Sequence, residues 1–159
     1  MSNRTIWIIR HGKSAAADPA QRDFDRPLNK RGRGDGSSML QWYAQQSEPA
    51  SWVWTSPAVR AQATAEFVGS GFNAPVVEEH SLYLGSANAL LSCLQSTPDE
   101  VDSVAIVAHN PGATHLVNLL GDKEVTSNLV TFGTARFTTD SAWPMLQFGG
   151  ALLVELYPP

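Results

Sequence analysis

Four basic side chains of this chain, two arginines and two histidines, follow short apolar runs that are typical of buried strands. They are Arg10 with His11, Arg60, and His109. Arginine can bind two oxygens of an anion at once and keeps its charge, and a neutral imidazole can act as a nucleophile. Because ligands of open α/β sheets bind at the carboxyl ends of parallel strands, this pattern predicts a site for a phosphoryl group.

The predicted chemistry is a two-step phosphoryl transfer. His11 attacks phosphorus in line, a phosphohistidine intermediate forms, and water hydrolyses it. We expect Arg10, Arg60 and His109 to hold the phosphoryl oxygens, because this reaction depends mainly on positioning and charge stabilisation. Asn110, next to His109, is expected to contribute to phosphate binding. No metal ion or other cofactor is required by this mechanism.

Strands that alternate with helices must position these side chains. We predict strands at 5–10, 52–54, 76–77, 103–108, 134–139 and 151–157. We predict helices at 29–46, from Ser56 onward, at 86–96 and at 111–120. The segment 11–28 reads as a long polar loop. This alternation predicts a three-layer α/β/α sandwich, with a mostly parallel sheet and an antiparallel C-terminal edge, in one domain spanning 1–159.

Two of the predicted helices begin beside the proposed anion. Ser56 is predicted as an N-cap with Pro57 as the first helical residue, and Asn110 with Pro111 repeats that pattern. Free backbone N–H groups and the positive end of the helix dipole would then face the phosphoryl group.

Composition and charge exclude several other classes of protein. A formal net charge of −4 over 159 residues argues against a general nucleic-acid binder. The single cysteine, Cys93, allows no intramolecular disulfide and no thiolate-rich metal site. No apolar stretch approaches the roughly 20 residues of a membrane span, and the N-terminus lacks the apolar region of a signal peptide. We therefore expect a cytoplasmic protein with no membrane partner.

The motifs that carry this chemistry resemble those of the histidine phosphatase superfamily. They are Arg10-His11-Gly12, the run 56–64 beginning Ser56-Pro57, and His109-Asn110-Pro111. The short length, the run 26–32 and Leu82-Tyr83-Leu84 are similar to the small SixA-type phosphohistidine phosphatase branch. The resemblance implies a phosphoglycerate-mutase-like fold. It also implies that Arg10, Arg60 and His109 bind phosphate while His11 carries it.

The general acid is the part of this resemblance that the sequence leaves open. Many members of the superfamily place a glutamate after the third strand, where this chain offers Glu79. Asp18, Asp23 and Asp25 in the first loop are further candidates. A phosphoramidate substrate would need less help from an acid, because its leaving nitrogen is protonated more readily than an alkoxide.

We therefore predict a phosphatase that acts on phosphohistidine proteins. The second interpretation is a small-molecule phosphomonoesterase of the same superfamily. The third is a phosphate- or phosphoprotein-binding module without catalysis. A nucleotide-binding protein is disfavoured because no glycine-rich turn follows the first or fourth strand.

Overall fold

The computed structural model of the chain describes residues 3–159 as a six-stranded sheet flanked by four helices. The strands are β1 Arg4–Arg10, β2 Trp52–Thr55, β3 Val76–Glu78, β4 Ser103–Ala108, β5 Thr134–Thr139 and β6 Leu152–Tyr157. The helices are α1 Lys30–Ala44, α2 Val59–Phe72, α3 Ala87–Gln95 and α4 Gly112–Leu120. Single 3₁₀ turns lie at Asp23–Asp25, His80–Leu82 and Trp143–Met145.

The strand order brings the residues of the candidate site together at the carboxyl ends of the parallel strands. That order is β3-β2-β4-β1-β5-β6, with β3, β2, β4 and β1 parallel and β5 antiparallel to both of its neighbours. Arg10 lies opposite Ala108, and Thr55 lies opposite Val107. The residues that follow β1, β2 and β4 are therefore neighbours in space. The predicted parallel sheet with an antiparallel C-terminal edge is confirmed.

Alternating side chains of the strands build a separate apolar core on each face of the sheet. Ile6 and Ile8 of β1 pack in the core that contains α3 and α4. Trp7 and Ile9 point the other way and pack in the core that contains α1 and α2. This follows from strand geometry, in which successive side chains face opposite sides. Both faces of β1 are thus covered, which fixes the end of the strand that carries His11.

The helix α1 starts close to the loop that follows His11. The Asn29 side chain caps it by accepting a hydrogen bond from the Gly32 backbone N–H. A Cβ at Gly32 would collide with the Lys13 carbonyl oxygen, so only glycine allows this approach. The nearby Gly34 has no atom within 4 Å of such a Cβ and is not constrained in this way.

The predicted starts of two helices are too early, by two residues for α2 and by one residue for α4. The helix α2 begins at Val59, and Ala58 is its N-cap with no side-chain hydrogen bond, so Ser56 does not cap it. The Ser56 hydroxyl is engaged elsewhere, with His109 and the Ala58 N–H. The helix α4 begins at Gly112 and follows Pro111.

Two smaller expectations also need correction. The segment 11–28 is not a plain loop, because it contains the 3₁₀ turn at Asp23–Asp25 and a bridge between Ser14 and Leu28. The first helix is shorter than 29–46 and ends at Ala44. Within residues 3–159, no helix has both the length and the apolar character needed to cross a membrane.

Candidate active site

The two histidines of the site lie side by side at the ends of neighbouring parallel strands. His11 follows β1 and His109 follows β4, and their ring centroids are 5.0 Å apart. Both side chains are buried, with 8% and 2% of the residue surface exposed. Imidazoles this close cannot both carry a charge without strong repulsion.

Backbone geometry fixes the tautomer of His11. Its Nδ1 lies 2.8 Å from the Gly12 carbonyl oxygen, which can only accept a hydrogen bond. Nδ1 therefore carries the proton, and Nε2 keeps the lone pair that a nucleophile needs. Burial lowers the pKa of His11 to about 4, with smaller contributions from the Arg60 and Arg10 charges, while the bond to Gly12 opposes the shift. His11 is thus neutral near pH 7.

A hydroxyl ties the end of β1 to the start of α2. The Gly12 N–H donates to Thr64 Oγ1 at 2.9 Å, and that hydroxyl donates to the Arg60 carbonyl oxygen at 2.8 Å. A Cβ at Gly12 would run into the ring of Phe132, so a larger residue does not fit there. The Gly12 backbone, directly after His11, and the first turn of α2 are held at a fixed separation.

His109 is oriented by Ser56 so that one ring nitrogen stays free. Its Nε2 lies 2.7 Å from Ser56 Oγ, which also accepts the Ala58 N–H at 3.3 Å. Where the Ser56 hydroxyl donates to Nε2, the ring proton of His109 lies on Nδ1. Within residues 3–159 that buried Nδ1 has no hydrogen-bond partner. Burial is the largest cause that lowers the pKa of His109 to about 3, and proximity to His11 and to the Arg60 charge acts in the same direction.

Arg60 is buried at the first turn of α2 and already binds a carboxylate. Only 3% of its surface is exposed. Its Nη1 donates to the Asp23 carbonyl oxygen at 2.7 Å, and its Nη2 donates to Asp23 Oδ2 at 2.9 Å. An arginine at a helix N-terminus opposes the helix dipole, and this arrangement is stabilised when an anion lies there.

Asp23 is held as an anion by three donors. The Tyr83 hydroxyl donates to its Oδ2 at 2.7 Å, and Arg26 Nη1 donates to its Oδ1 at 2.9 Å. The hydrogen bond from Tyr83 is the largest cause that holds the pKa of Asp23 well below its usual range, and those from Arg60 and Arg26 add to it. The other loop carboxylates differ, since Asp25 pairs with Arg22 and Asp18 accepts the Ala20 N–H.

Arg10 is the last residue of β1 and directly precedes His11. Its Nη1 donates to the Leu129 carbonyl oxygen at 3.0 Å. Its buried Nε has no hydrogen-bond partner within residues 3–159. Burial lowers the pKa of Arg10 from its ordinary value. Two buried nitrogens without a hydrogen-bond partner, Arg10 Nε and His109 Nδ1, thus belong to residues that were predicted to bind phosphate.

Asn110 and Glu79 are engaged within the protein. Asn110 Nδ2 donates to Asn128 Oδ1 and to the Leu129 carbonyl oxygen, while its Oδ1 accepts from the backbone N–H and hydroxyl of Thr114. These contacts attach the residue after His109 to the segment that also binds Arg10. A phosphate-binding role for Asn110 stays a prediction.

The Glu79 carboxylate accepts the backbone N–H and the hydroxyl of Ser81. These bonds, the backbone one first, lower the pKa of Glu79. A carboxylate held ionised in this way has no proton to donate. The role of Glu79 as general acid is not tested by these contacts and stays a prediction.

Two functional contacts were not anticipated from the sequence. Ser56 was predicted as a helix cap, and Tyr83 appeared only within a motif of resemblance. The approach of Tyr83 to Asp23 joins residues 60 positions apart, which no local pattern reveals. Within residues 3–159, no group of three His, Cys, Asp or Glu side chains is placed to hold a metal ion.

Comparison with known proteins places this geometry in context. The model of the histidine phosphatase superfamily, branch 1, matches residues 6–83. The phosphohistidine phosphatase SixA of Escherichia coli strain K12 is 33% identical over 141 residues, which cover 86% of each chain.

Solved structures of similar proteins match along almost the whole chain. A putative phosphohistidine phosphatase SixA from Nakamurella multipartitia superposes with a TM-score of 0.87 at 24% identity, covering 100% of this chain and 98% of its own. A protein histidine phosphatase SixA complexed with tungstate gives 0.78 at 27% identity, with coverage of 96% and 95%. The first of these shows the fold alone.

Proposed function

Because this chain belongs to the histidine phosphatase superfamily and is a phosphatase, we propose that His11 is its nucleophile and that it dephosphorylates phosphohistidine proteins. The role of His11 as nucleophile rests on one observation. Its ring is neutral, and its Nδ1 proton is held by the Gly12 carbonyl oxygen. Nε2 is then the nitrogen that attacks.

In the first step, the lone pair of His11 Nε2 forms a bond to phosphorus while the bond to the leaving group breaks. In the second step, water attacks the phosphorus of phosphorylated His11, the P–N bond breaks with its electron pair returning to Nε2, and the proton that water gives up passes to bulk solvent. Inorganic phosphate and a neutral His11 result. Dividing the reaction in this way replaces one difficult step by two easier ones.

The charge of the transferring group is balanced by residues around His11. We assign the phosphoryl oxygens to Arg10, Arg60 and His109, with Asn110 beside them. The unpaired nitrogens Arg10 Nε and His109 Nδ1 support this assignment, because a buried N–H that has no partner within the protein can stabilise an anion strongly. The N-termini of α2 and α4 add the positive ends of their dipoles.

The state of the carboxylates favours a nitrogen leaving group. The pKa values of Glu79 and Asp23 are both lowered, so neither is a ready proton donor to an alkoxide. A phosphoramidate depends less on such a donor. The name of the Escherichia coli relative, a phosphohistidine phosphatase, supports the same substrate class.

The test measures phosphate release from a phosphohistidine protein and from an aryl phosphate, side by side. We expect the first substrate to be preferred and both activities to be lost in His11→Ala, with His115→Ala as the control at an exposed histidine. An acid-labile phosphoenzyme should form on the wild type and be absent in His11→Ala.

Each other outcome contradicts a defined part of the proposal. Activity retained by His11→Ala would refute the nucleophile. Preference for the aryl ester would favour a small-molecule phosphomonoesterase. Binding of phosphate without turnover of either substrate would favour a binding module.

A further inference from the structure

We propose that Asp23, Phe24 and Tyr83 form the subsite for the leaving group, and that this subsite selects a protonated imidazole ring over an oxygen leaving group. The inference rests on the proposed function, in which His11 attacks a phosphorylated nitrogen. It goes further by assigning residues of this chain to the group that departs.

An open cavity of about 440 Å³ lies beside the phosphoryl site. Its lining consists of Arg22, Asp23, Phe24, His80 and Tyr83. Two of these residues, Asp23 and Tyr83, neighbour the residues of the candidate site. Asp23 bonds directly to Arg60, and the ring centroid of Tyr83 is 5.6 Å from that of His109. A substrate whose phosphoryl group meets His11 would extend into this space.

Aromatic rings form the wall of the cavity. Phe24 and Tyr83 meet edge to face, with centroids 5.1 Å apart and planes at 76°. The Arg22 guanidinium lies 5.6 Å from the Phe24 ring centroid. Aromatic faces and edges pack well against a planar ring, whereas a flexible alkyl chain gains less from them. The shape and chemistry of this wall therefore suit a heteroaromatic leaving group.

Asp23 retains one position for a further donor. Its Oδ2 accepts from Arg60 and from the Tyr83 hydroxyl, and its Oδ1 accepts from Arg26 alone. A carboxylate oxygen can accept about two hydrogen bonds, so Oδ1 can accept one more. A phosphorylated imidazole that is protonated on its other nitrogen presents an N–H to fill this position. The leaving oxygen of an aryl or alkyl phosphate brings no such donor.

The resulting step balances without a general acid. The lone pair of His11 Nε2 forms the new P–N bond as the P–N bond of the substrate breaks. The pair from the broken bond stays on the ring nitrogen and cancels the positive charge of the ring. A neutral imidazole leaves with its N–H still directed at Asp23. No proton is transferred, which accounts for a site whose carboxylates are held ionised.

The test compares the ratio of kcat/KM for a phosphohistidine peptide to kcat/KM for an aryl phosphate. Asp23→Asn removes the negative charge, and we expect this ratio to fall about 10- to 100-fold, the range for a hydrogen bond to a charged group. Asp140→Asn is the matched control, because Asp140 is exposed, follows β5 at the end of the sheet opposite His11 and does not line the cavity. Its ratio should equal that of the wild type.

A second variant keeps the inference falsifiable if Asp23→Asn folds poorly. Phe24→Leu removes one aromatic wall and should lower kcat/KM for the phosphohistidine peptide several-fold relative to kcat/KM for an alkyl phosphate, whose leaving group has no planar ring to pack there. A change that affects both substrates equally in Asp23→Asn would mean that Asp23 acts only by positioning Arg60, and would overturn the subsite. The subsite would be overturned as well if neither the aryl phosphate ratio of Asp23→Asn nor the alkyl phosphate ratio of Phe24→Leu changed.

Failure of the proposed function gives a different result. If the wild type shows no activity on the phosphohistidine peptide, or activity that survives in His11→Ala, the proposed function fails and the subsite fails with it. If the wild type prefers phosphohistidine through His11 and the ratio does not respond to Asp23 or Phe24, the subsite alone is refuted.

Discussion

Replacing His11 by glutamine should remove a defined part of the acid sensitivity of the fold. The pKa of His11 falls from 6.5 to about 4 because the ring is buried. Between these values the unfolded chain binds a proton that the folded chain does not bind. Since stability rises with pH wherever the unfolded state holds more protons, the wild type must lose stability as the pH falls.

The size of the effect follows from the two pKa values. Lowering the pH from about 7.5 to about 5 should reduce the free energy of unfolding by about 2 kcal/mol through His11 alone. Glutamine does not titrate, so His11→Gln should lack this loss. His109 contributes in both proteins, and His11 is uncharged in the folded wild type at both pH values, so the comparison isolates one group.

Urea denaturation followed by tryptophan fluorescence measures the effect at both pH values. The quantity of interest is the change in unfolding free energy between them, compared for wild type and His11→Gln at equal slopes of the denaturation curves. His115→Gln makes the same substitution at an exposed position of α4 and should keep the wild-type loss. Equal losses in wild type and His11→Gln would refute a buried neutral His11 and, with it, the electrostatic basis for the nucleophile.

Two further perturbations test the contacts that support the site. Ser56→Ala leaves His109 Nε2 buried without its 2.7 Å partner. A cost of about 1–3 kcal/mol, expressed in the transition state, should lower kcat/KM by about 5- to 150-fold, and an unchanged value would exclude this role. Gly34→Ala should stabilise the protein by about 0.5–1 kcal/mol in thermal unfolding, because a Cβ at this position of α1 meets no other atom. Gly32→Ala should destabilise the protein, because its Cβ would collide with the Lys13 carbonyl oxygen. Equal shifts in melting temperature for the two alanines would contradict this packing.

The sequence predicted the fold where burial leaves a simple pattern. The strand β4 was predicted with its observed bounds, Ser103–Ala108, because every residue in it is buried and the run is almost wholly apolar. The C-terminal hairpin was found within one residue, since Thr134–Thr139 and Leu152–Tyr157 are separated by a connection rich in turn residues. The starts of α2 and α4 were less predictable, because capping residues can make tertiary contacts instead.

The candidate site, like the fold, was predictable from the sequence only in part. His11 and His109 were placed by the rule that functional side chains follow parallel strands, and the structure brings their rings together. The contacts of Asp23 were not predictable, because they join a loop to Arg60 over 37 positions and to Tyr83 over 60. Three aspartates stood in that loop, and only tertiary structure distinguishes them.

The bond between Arg60 and Asp23 has a consequence for the energetics of binding. The guanidinium has already lost most of its water and its rotational freedom, since 3% of the residue is exposed and two of its five N–H donors are occupied. The guanidinium is therefore preorganised, and its remaining N–H donors take no part in the two hydrogen bonds to Asp23. If Arg60 holds the phosphoryl oxygens as proposed, ordering and dehydrating its side chain adds little to the cost of binding, and the corresponding interaction energy remains available for the transition state.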